Sequence, residues 1–283
     1  MNKVDFIAEI GSNHNKNLSR CYKLIDAAKY VGATGVKFQL FELEKLYSKD
    51  AKKLYKKLSK RLKIRELPKK FIPKLSKYCK KKRIKFGCTP FDLDSAEYLK
   101  DYVDFFKIAS YELIWDELVE KCSQYKKKII LSTGASNMKE IRRAVEILKK
   151  NKHKQYSLLH CVSNYPASPI DCNLQSINFL RDKFRCDVGW SDHTVNPLII
   201  YSAVRKFNSK IVEFHFDLDK KGWEYQGDHC WLPNQIKKVI NFIKNEKKIF
   251  GLYKKKFSKN EQKERLARTD PSDGLRPMKS VRK

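Results

Sequence analysis

No run of about 18 uncharged apolar residues occurs in this chain of 283 residues, and a membrane-spanning helix needs roughly that length. No charged-then-apolar leader opens it either. Met1–Ile10 runs straight into V-D-F-I-A-E-I, so the chain is expected to remain in the cytoplasm. The eight cysteines (Cys21, Cys79, Cys88, Cys122, Cys161, Cys172, Cys186 and Cys230) never form C-x-x-C. That spacing excludes a compact zinc module, and a disulfide framework suits a smaller secreted chain, so reduced thiols are expected. Acidic residues are scarce, 32 against 62 lysines and arginines, which leaves a net charge of +30. Nucleic acid is one partner that such a charge suggests. The runs Lys52–Lys70, Lys80–Lys85 and Lys254–Lys256 are lysine-dominated, however, with few arginines to make forked base contacts. Solvated helix faces are the preferred reading, and the positive field also favours a small phosphorylated anion.

What is present is a globular composition, 41% hydrophobic and 12% aromatic, with a repeating rhythm. Short apolar runs of strand period alternate with stretches of helical period. Strands are expected at Val4–Ile10, Gly35–Leu40, Ile84–Cys88, Val103–Ile108, Ile129–Ser132, Tyr156–Cys161, Cys186–Trp190 and Ile211–Phe216. Helices are expected at Leu18–Tyr30, Phe71–Lys82, from Asp92 as cap through Leu99, Glu112–Tyr125, after Asn137-x-x-Glu140, and at Leu174–Phe184, Pro197–Phe207 and Pro233–Phe250. Residues 41–68 form a basic insertion with helix but no clear core face. Eight strand-then-helix units in about 250 residues predict a closed α/β (β/α)8 TIM barrel over 1–251, followed by a basic tail, 252–283. An open doubly wound sheet would carry a glycine-rich phosphate turn after strand one. Here that turn is G-S-N-H-N-K-N, with one glycine.

The chain is organised around K-I-V-E-F-H-F-D, Lys210–Asp217. Its alternation puts Val212, Phe214 and Phe216 on one face and Glu213 and His215 on the other. In a parallel strand covered on both sides, Glu213 and His215 are partly buried and the carboxylate needs a partner. W-S-D-H-T supplies a second imidazole, His193, and two histidines with carboxylates on successive strand ends suit a divalent metal. A barrel keeps its chemistry at the carboxyl ends of the strands. Those ends carry Glu9, Lys37 with Gln39, Thr89, Lys107 with Ser110, Thr133, His160, Ser191-Asp192-His193, and Glu213 with His215. Taken alone, Thr89 and Thr133 read as turn residues, and His160 as a satisfied core histidine. Lys37 and Lys107 suit a phosphate or carboxylate.

These motifs carry a resemblance. I-A-E-I-G-S-N-H-N, G-V-K-F-Q, C-T-P-F-D, F-F-K-I-A-S, L-S-T-G, H-C-V-S-N-Y-P, W-S-D-H-T and V-E-F-H-F-D, in this order, resemble the sialic acid synthase family from about Val4 to Phe250. The family condenses phosphoenolpyruvate with an N-acetylated amino sugar to make nonulosonic acids. The resemblance implies that His193 and His215 hold a divalent metal, manganese foremost, with magnesium or cobalt as alternatives. It implies that Lys37, Thr89, Lys107, Ser110, Thr133 and Ser191 bind phosphoenolpyruvate. Gln39, Tyr165 and Asp228 then contact the sugar, Glu9 handles protons, and Asp192 and Glu213 support the metal.

The sequence departs from the family at Lys16, where glycine is usual, and in W-E-Y-Q-G-D-H-C-W around Asp228. The tail after 251 is too short for the antifreeze-like domain of longer members, so a short form is expected, with Arg276 as a substitute for that domain's arginine. A homodimer through the barrel is compatible with this form. Two other functions remain open: a Schiff-base aldolase or lyase using Lys107, and a catalytically silent barrel that binds nucleic acid.

Overall fold

The structure, a computed structural model, describes residues 4–54 and 56–282. Eight parallel strands close into one ring in sequence order: β1 Asp5–Gly11, β2 Gly35–Leu40, β3 Lys85–Pro90, β4 Phe105–Ile108, β5 Lys128–Ser132, β6 Tyr156–Cys161, β7 Asp187–Asp192 and β8 Ile211–His215. The ring closes where β1 meets β8, from Asp5 beside Ile211 to Glu9 beside His215. The principal helices between and after them are α1 Leu18–Val31, α2 Ile72–Lys82, α3 Leu93–Leu99, α4 Asp116–Gln124, α5 Met138–Lys150, α6 Gln175–Phe184, α7 Pro197–Arg205 and α8 Pro233–Phe250. This is the (β/α)8 barrel that the alternation of periods predicts.

Local chemistry sets the boundaries. Asn17 caps α1 by accepting from the Arg20 amide, and Gly32 ends it at a φ of 92°. Asp92 caps α3, its Oδ1 2.8 Å from the Ser95 amide, and Asn137 with Glu140 forms the expected capping box on α5. The segment expected as one helix from Glu112 is instead a 3-10 turn, Glu112–Ile114, followed by α4, because Trp115 between them is extended. The insertion holds three short helices, Leu43–Leu46, Lys49–Leu54 and Lys56–Arg65. It is pinned at its ends by the buried Leu43 and Leu67.

The core has two layers. Outward-facing strand residues such as Phe6, Ala8 and Ile10 pack under the helices with Leu24 and Ile25 of α1. Ile7, Phe105, Ile130, Leu159 and Ile211 form a separate inner plug. Four of these stand two residues before Glu9, Lys107, Ser132 and Glu213, hence on the same strand face one pleat earlier. The plug is therefore the floor on which the polar groups rest.

Contacts divide the chain into a unit of residues 1–243 and a second unit of residues 244–283, which begins before the tail expected from 252. Within the second unit Asp270 organises a turn, accepting from the Ser272 amide at 2.9 Å, the Ser272 hydroxyl at 2.6 Å and the Lys279 amide at 2.8 Å. No helix among the described residues is long and apolar enough to cross a membrane. All eight cysteines are unpaired. Lys80, Lys81, Arg83 and Lys85, like Lys254–Lys256, are exposed.

The β7–β8 seam depends on Gly189, where a Cβ would lie 2.3 Å from the Ile211 carbonyl oxygen. Backbone cannot yield as a side chain can. Gly189→Ala should therefore cost about 1–3 kcal/mol, read as a lower midpoint in chemical unfolding; an unchanged midpoint would mean that the two strands part without cost.

Candidate active site

Inward-pointing residues of the ring bring two ammonium groups and two carboxylates together. Glu9 and Lys37 are register partners across β1 and β2, and their charges meet with Glu9 Oε2 2.5 Å from Lys37 Nζ. Lys37 Nζ also reaches the Thr89 hydroxyl at 3.2 Å and Glu213 Oε2 at 3.9 Å. Lys107 Nζ donates to Ser132 Oγ at 2.6 Å and stands 3.7 Å from Glu213 Oε1. Ser191 donates to that same oxygen at 3.0 Å, and Gln39 donates to Glu9 Oε1 at 2.8 Å. Burial opposes the charge on Glu213, but Lys107 and then Lys37 outweigh it and hold the carboxyl at about 2.

Above this ring stand the imidazoles. His193 and His215 lie with ring centroids 5.4 Å apart, and Tyr165 packs 4.2 Å from His193. His193 Nδ1 donates to the Val162 carbonyl at 2.6 Å, which leaves Nε2 bare. Burial, then the neighbouring His215, pulls its pKa down to about 3, so it stays neutral. His215 Nδ1 lies 3.0 Å from Glu224 Oε2. Each ring thus has one nitrogen committed and one free, the pattern that metal-binding histidines show. The donor set fits the divalent ion that the sequence implies.

Glu224 arrives from far along the chain. Its Oε1 accepts from the Ser12 amide at 2.7 Å and the Ser12 hydroxyl at 3.0 Å. Gly11, at a φ of 51°, leaves it room, since a Cβ there would fall 2.1 Å from a carboxylate oxygen. Asn13 Oδ1 accepts from the Glu224 amide at 2.7 Å, and Asn13 Nδ2 donates to the Phe216 carbonyl at 3.1 Å. Asn15 Oδ1 accepts from the Trp223 amide, and Arg65 of the insertion donates to the Trp223 carbonyl. The loop after β1 thus clasps the loop after β8. Lys16 keeps a left-handed φ of 50°, a conformation glycine favours, so the departure from glycine does not abolish the turn.

Several expected residues lie elsewhere. His160 faces the outer layer, where Nε2 meets the Cys172 carbonyl at 2.8 Å and the ring packs on Trp190; it is a satisfied core histidine. Asp192 is spent on the Trp190 and Trp231 indoles, the Thr194 hydroxyl and the Val195 amide, and none of these bonds reaches a histidine. It secures the strand end from which His193 projects rather than the metal shell. Asp228 is exposed, and Glu224 takes the inward place expected for it. Thr133 Oγ1 donates to the Leu159 carbonyl at 3.1 Å, while the neighbouring Ser132 serves Lys107. Ser110 Oγ lies 3.4 Å from Cys161 Sγ and accepts from the Gly134 amide. Arg276 lies in the second unit, donating to Thr269. The sequence reading missed Ser132, Glu224 and His229; strand parity on β5 signals the first.

Asn13→Ala would strip the Glu224 amide of its acceptor. The orphaned group should cost about 1–3 kcal/mol locally, roughly ten- to a hundredfold faster exchange. Hydrogen–deuterium exchange across residues 222–230 measures this, and unchanged protection would show that the clasp does not hold the loop.

The comparisons with known proteins agree with this geometry. The NeuB family model matches residues 24–255. The N,N'-diacetyllegionaminic acid synthase of Campylobacter jejuni is 38% identical over 275 residues, covering 93% of this chain and 82% of that one. The enzyme of the same name from Legionella pneumophila is 35% identical, covering 90% and 75%. The crystal structure of the N-acetylneuraminic acid (sialic acid) synthetase from Leptospira borgpetersenii superposes with a TM-score of 0.80 at 33% identity, over 93% of this chain and 90% of that one. With eight closed strands, a matched family model over most of its length and relatives above 30% identity, this chain belongs to the NeuB family.

Proposed function

We propose that the barrel condenses phosphoenolpyruvate with an N-acetylated amino sugar, giving a sialic-acid-like nonulosonic acid and inorganic phosphate. One observation carries the reading: Lys37 and Lys107 both point inward and sit within 4 Å of Glu213, beneath two imidazoles with free nitrogens. The names of the relatives support an acidic amino-sugar product. Lys37 and Lys107 bind the phosphate and, with the hydroxyls of Thr89 and Ser132, stabilise it as it leaves. His193 and His215 would hold a divalent ion, which would supply Lewis-acid polarisation of the open-chain aldehyde.

The electron flow fits the remaining groups. The enol carbon of phosphoenolpyruvate bonds to the aldehyde carbon while the carbonyl π pair moves onto the aldehyde oxygen, and positive character develops at C2. Water adds at C2, losing one proton to Glu9, which balances the proton that the former aldehyde oxygen takes up to become a hydroxyl. The C2–O bond to phosphate then breaks as the C2 hydroxyl gives its proton to the departing phosphate and becomes the ketone. Gln39 holds the Glu9 carboxylate in place for that transfer. Tyr165, over the imidazoles, lies where it can contact the sugar.

Glu9→Gln should leave substrate binding nearly intact and abolish turnover, measured as phosphate released from phosphoenolpyruvate with manganese and a panel of N-acetylhexosamines and their diamino relatives. Full activity in that variant would remove Glu9 from the mechanism. Trapping of a lysine adduct with pyruvate and borohydride, together with no phosphate release, would replace the whole reading with a Schiff-base lyase.

A pH dependence follows from Lys37. Burial pulls its ammonium down to about 8, against Glu213, and Glu9 at 2.5 Å also favours keeping the proton. A bound phosphate needs the charged form. Affinity should therefore be full below about pH 8 and weaken as pH rises through it, by up to about tenfold per unit. Lys37→Arg stays charged and should flatten that rise in KM even where turnover suffers; a slope unchanged in the variant would assign the titration to another group.

A further inference from the structure

His193 and His215 are supported unequally. His193 Nδ1 donates to a neutral group, the Val162 carbonyl, at 2.6 Å. His215 Nδ1 instead faces a carboxylate, Glu224 Oε2, at 3.0 Å. Among the described residues no other carboxylate bonds to either imidazole. The buried carboxylates nearby are spent elsewhere: Glu9 on Lys37, Glu213 on Lys37 and Lys107, and Asp192 on two indoles. Glu224 pairs with no lysine or arginine among the described residues, and His215 is its basic partner. It lies in W-E-Y-Q-G-D-H-C-W, where the sequence departs from the family, so the resemblance gives it no role.

The two oxygens of Glu224 are not equivalent. Oε1 accepts twice, from the Ser12 amide at 2.7 Å and the Ser12 hydroxyl at 3.0 Å, so that end of the side chain must be an acceptor. Gly11 keeps the space clear, and Asn13 Oδ1 fixes the Glu224 amide. Oε2 is thereby aimed at the imidazole. An ionised carboxylate only accepts, so the Nδ1 that it faces must carry a proton. In the neutral ring Nε2 is then the bare nitrogen, the one able to bind an ion.

We propose that Glu224 is a positioning residue for the divalent ion at His193 and His215: it holds the proton on His215 Nδ1 and keeps Nε2 bare and more basic toward the ion. Ser12 and Asn13 act through it, so the loop after β1 sets the affinity for an ion held at the ends of β7 and β8. Both histidines remain the ligands. The inference rests on the proposed reaction only in placing the ion there.

Glu224→Gln is the decisive variant, because it keeps the shape and reverses one hydrogen bond. The two Ser12 donors hold the amide oxygen, which leaves the amide NH2 donating to His215 Nδ1. The ring proton then moves to Nε2 and blocks it. Nitrogen-15 NMR of the metal-free full chain, at alkaline pH where the rings are neutral, should show His215 protonated at Nδ1 in the wild type and at Nε2 in the variant. Manganese titration without substrate, read by electron paramagnetic resonance of the free ion, should show binding about ten- to a hundredfold weaker in the variant. Circular dichroism checks its fold. A wild-type His215 protonated at Nε2 would overturn the inference whether or not the variant folds. Unchanged manganese affinity in Glu224→Gln would do the same, and weaker binding with an unchanged tautomer would replace the positioning role with direct ligation. Neither readout uses turnover, so a failure to release phosphate would remove the proposed reaction and leave this inference standing.

Discussion

Glu9 and Lys37 meet across the β1–β2 ladder with 2.5 Å between charges, and the interior is built so that neither can be buried without the other. Both are almost wholly removed from water. Taking either out alone would leave an uncompensated charge, at a cost of about 3–5 kcal/mol. Glu213 of β8, the strand beside β1, and Lys107 of β4 form a second pair across the ring, and Lys37 lies 3.9 Å from Glu213, which joins the two pairs. Two positive and two negative groups on one apolar floor make a neutral cluster that tolerates burial because it is closed. The inner plug of Ile7, Phe105, Ile130, Leu159 and Ile211 excludes water from below and lowers the local dielectric, so each contact counts for more.

That cluster fixes what the strands must do, and the loops fix what the imidazoles can do. The Ser12–Asn15 segment and the Lys221–Cys230 segment are tied by backbone and side-chain hydrogen bonds that span more than 200 positions of sequence. Arg20 strengthens the tie, reaching the Asn13 carbonyl at 2.6 Å and the buried Asp217 at 2.7 Å. β1 and β8 are neighbours only because the barrel closes, so the clasp exists only in the closed ring. Closure and the orientation of His215 are therefore one event: Glu224 reaches His215 through a loop that an open sheet could not seat.

The sequence made the strands legible because period two survives burial on both faces. Glu9, Lys37, Lys107 and Glu213 stand out as charges interrupting apolar runs, and all four point inward. His160, read from the sequence as a satisfied core histidine, shows the other side of that parity. It too interrupts an apolar run, but parity with Leu159, which is in the inner plug, sends it to the outer layer beside Trp190. Asp192 fails for the same reason, one position from the inward Ser191. The motif W-S-D-H-T reads as a block, yet alternate members face opposite sides of the sheet. Glu224 and His229 were illegible for another reason. They sit in a loop without periodicity, and their placement depends on Asn13 and Gly11, which no local pattern connects to them.

The net charge of +30 and the neutral cluster act at different ranges. Outside, unpaired lysines such as Lys80, Lys81 and Lys254–Lys256 give a field that raises the local concentration of anions, and this field weakens as salt screens it. Inside, Lys37 and Lys107 are already paired with carboxylates. Under the reaction proposed above, binding would be an exchange: phosphate oxygens would replace the Glu9 or Glu213 carboxylate at an ammonium, and the net energy would be the difference between two charge-assisted contacts. Such an exchange would free a carboxylate at the moment the phosphate docks. In Glu9 it would free one already held by Gln39. On that proposal, the pairing that makes burial of Lys37 tolerable before the substrate arrives would supply a base once it is bound.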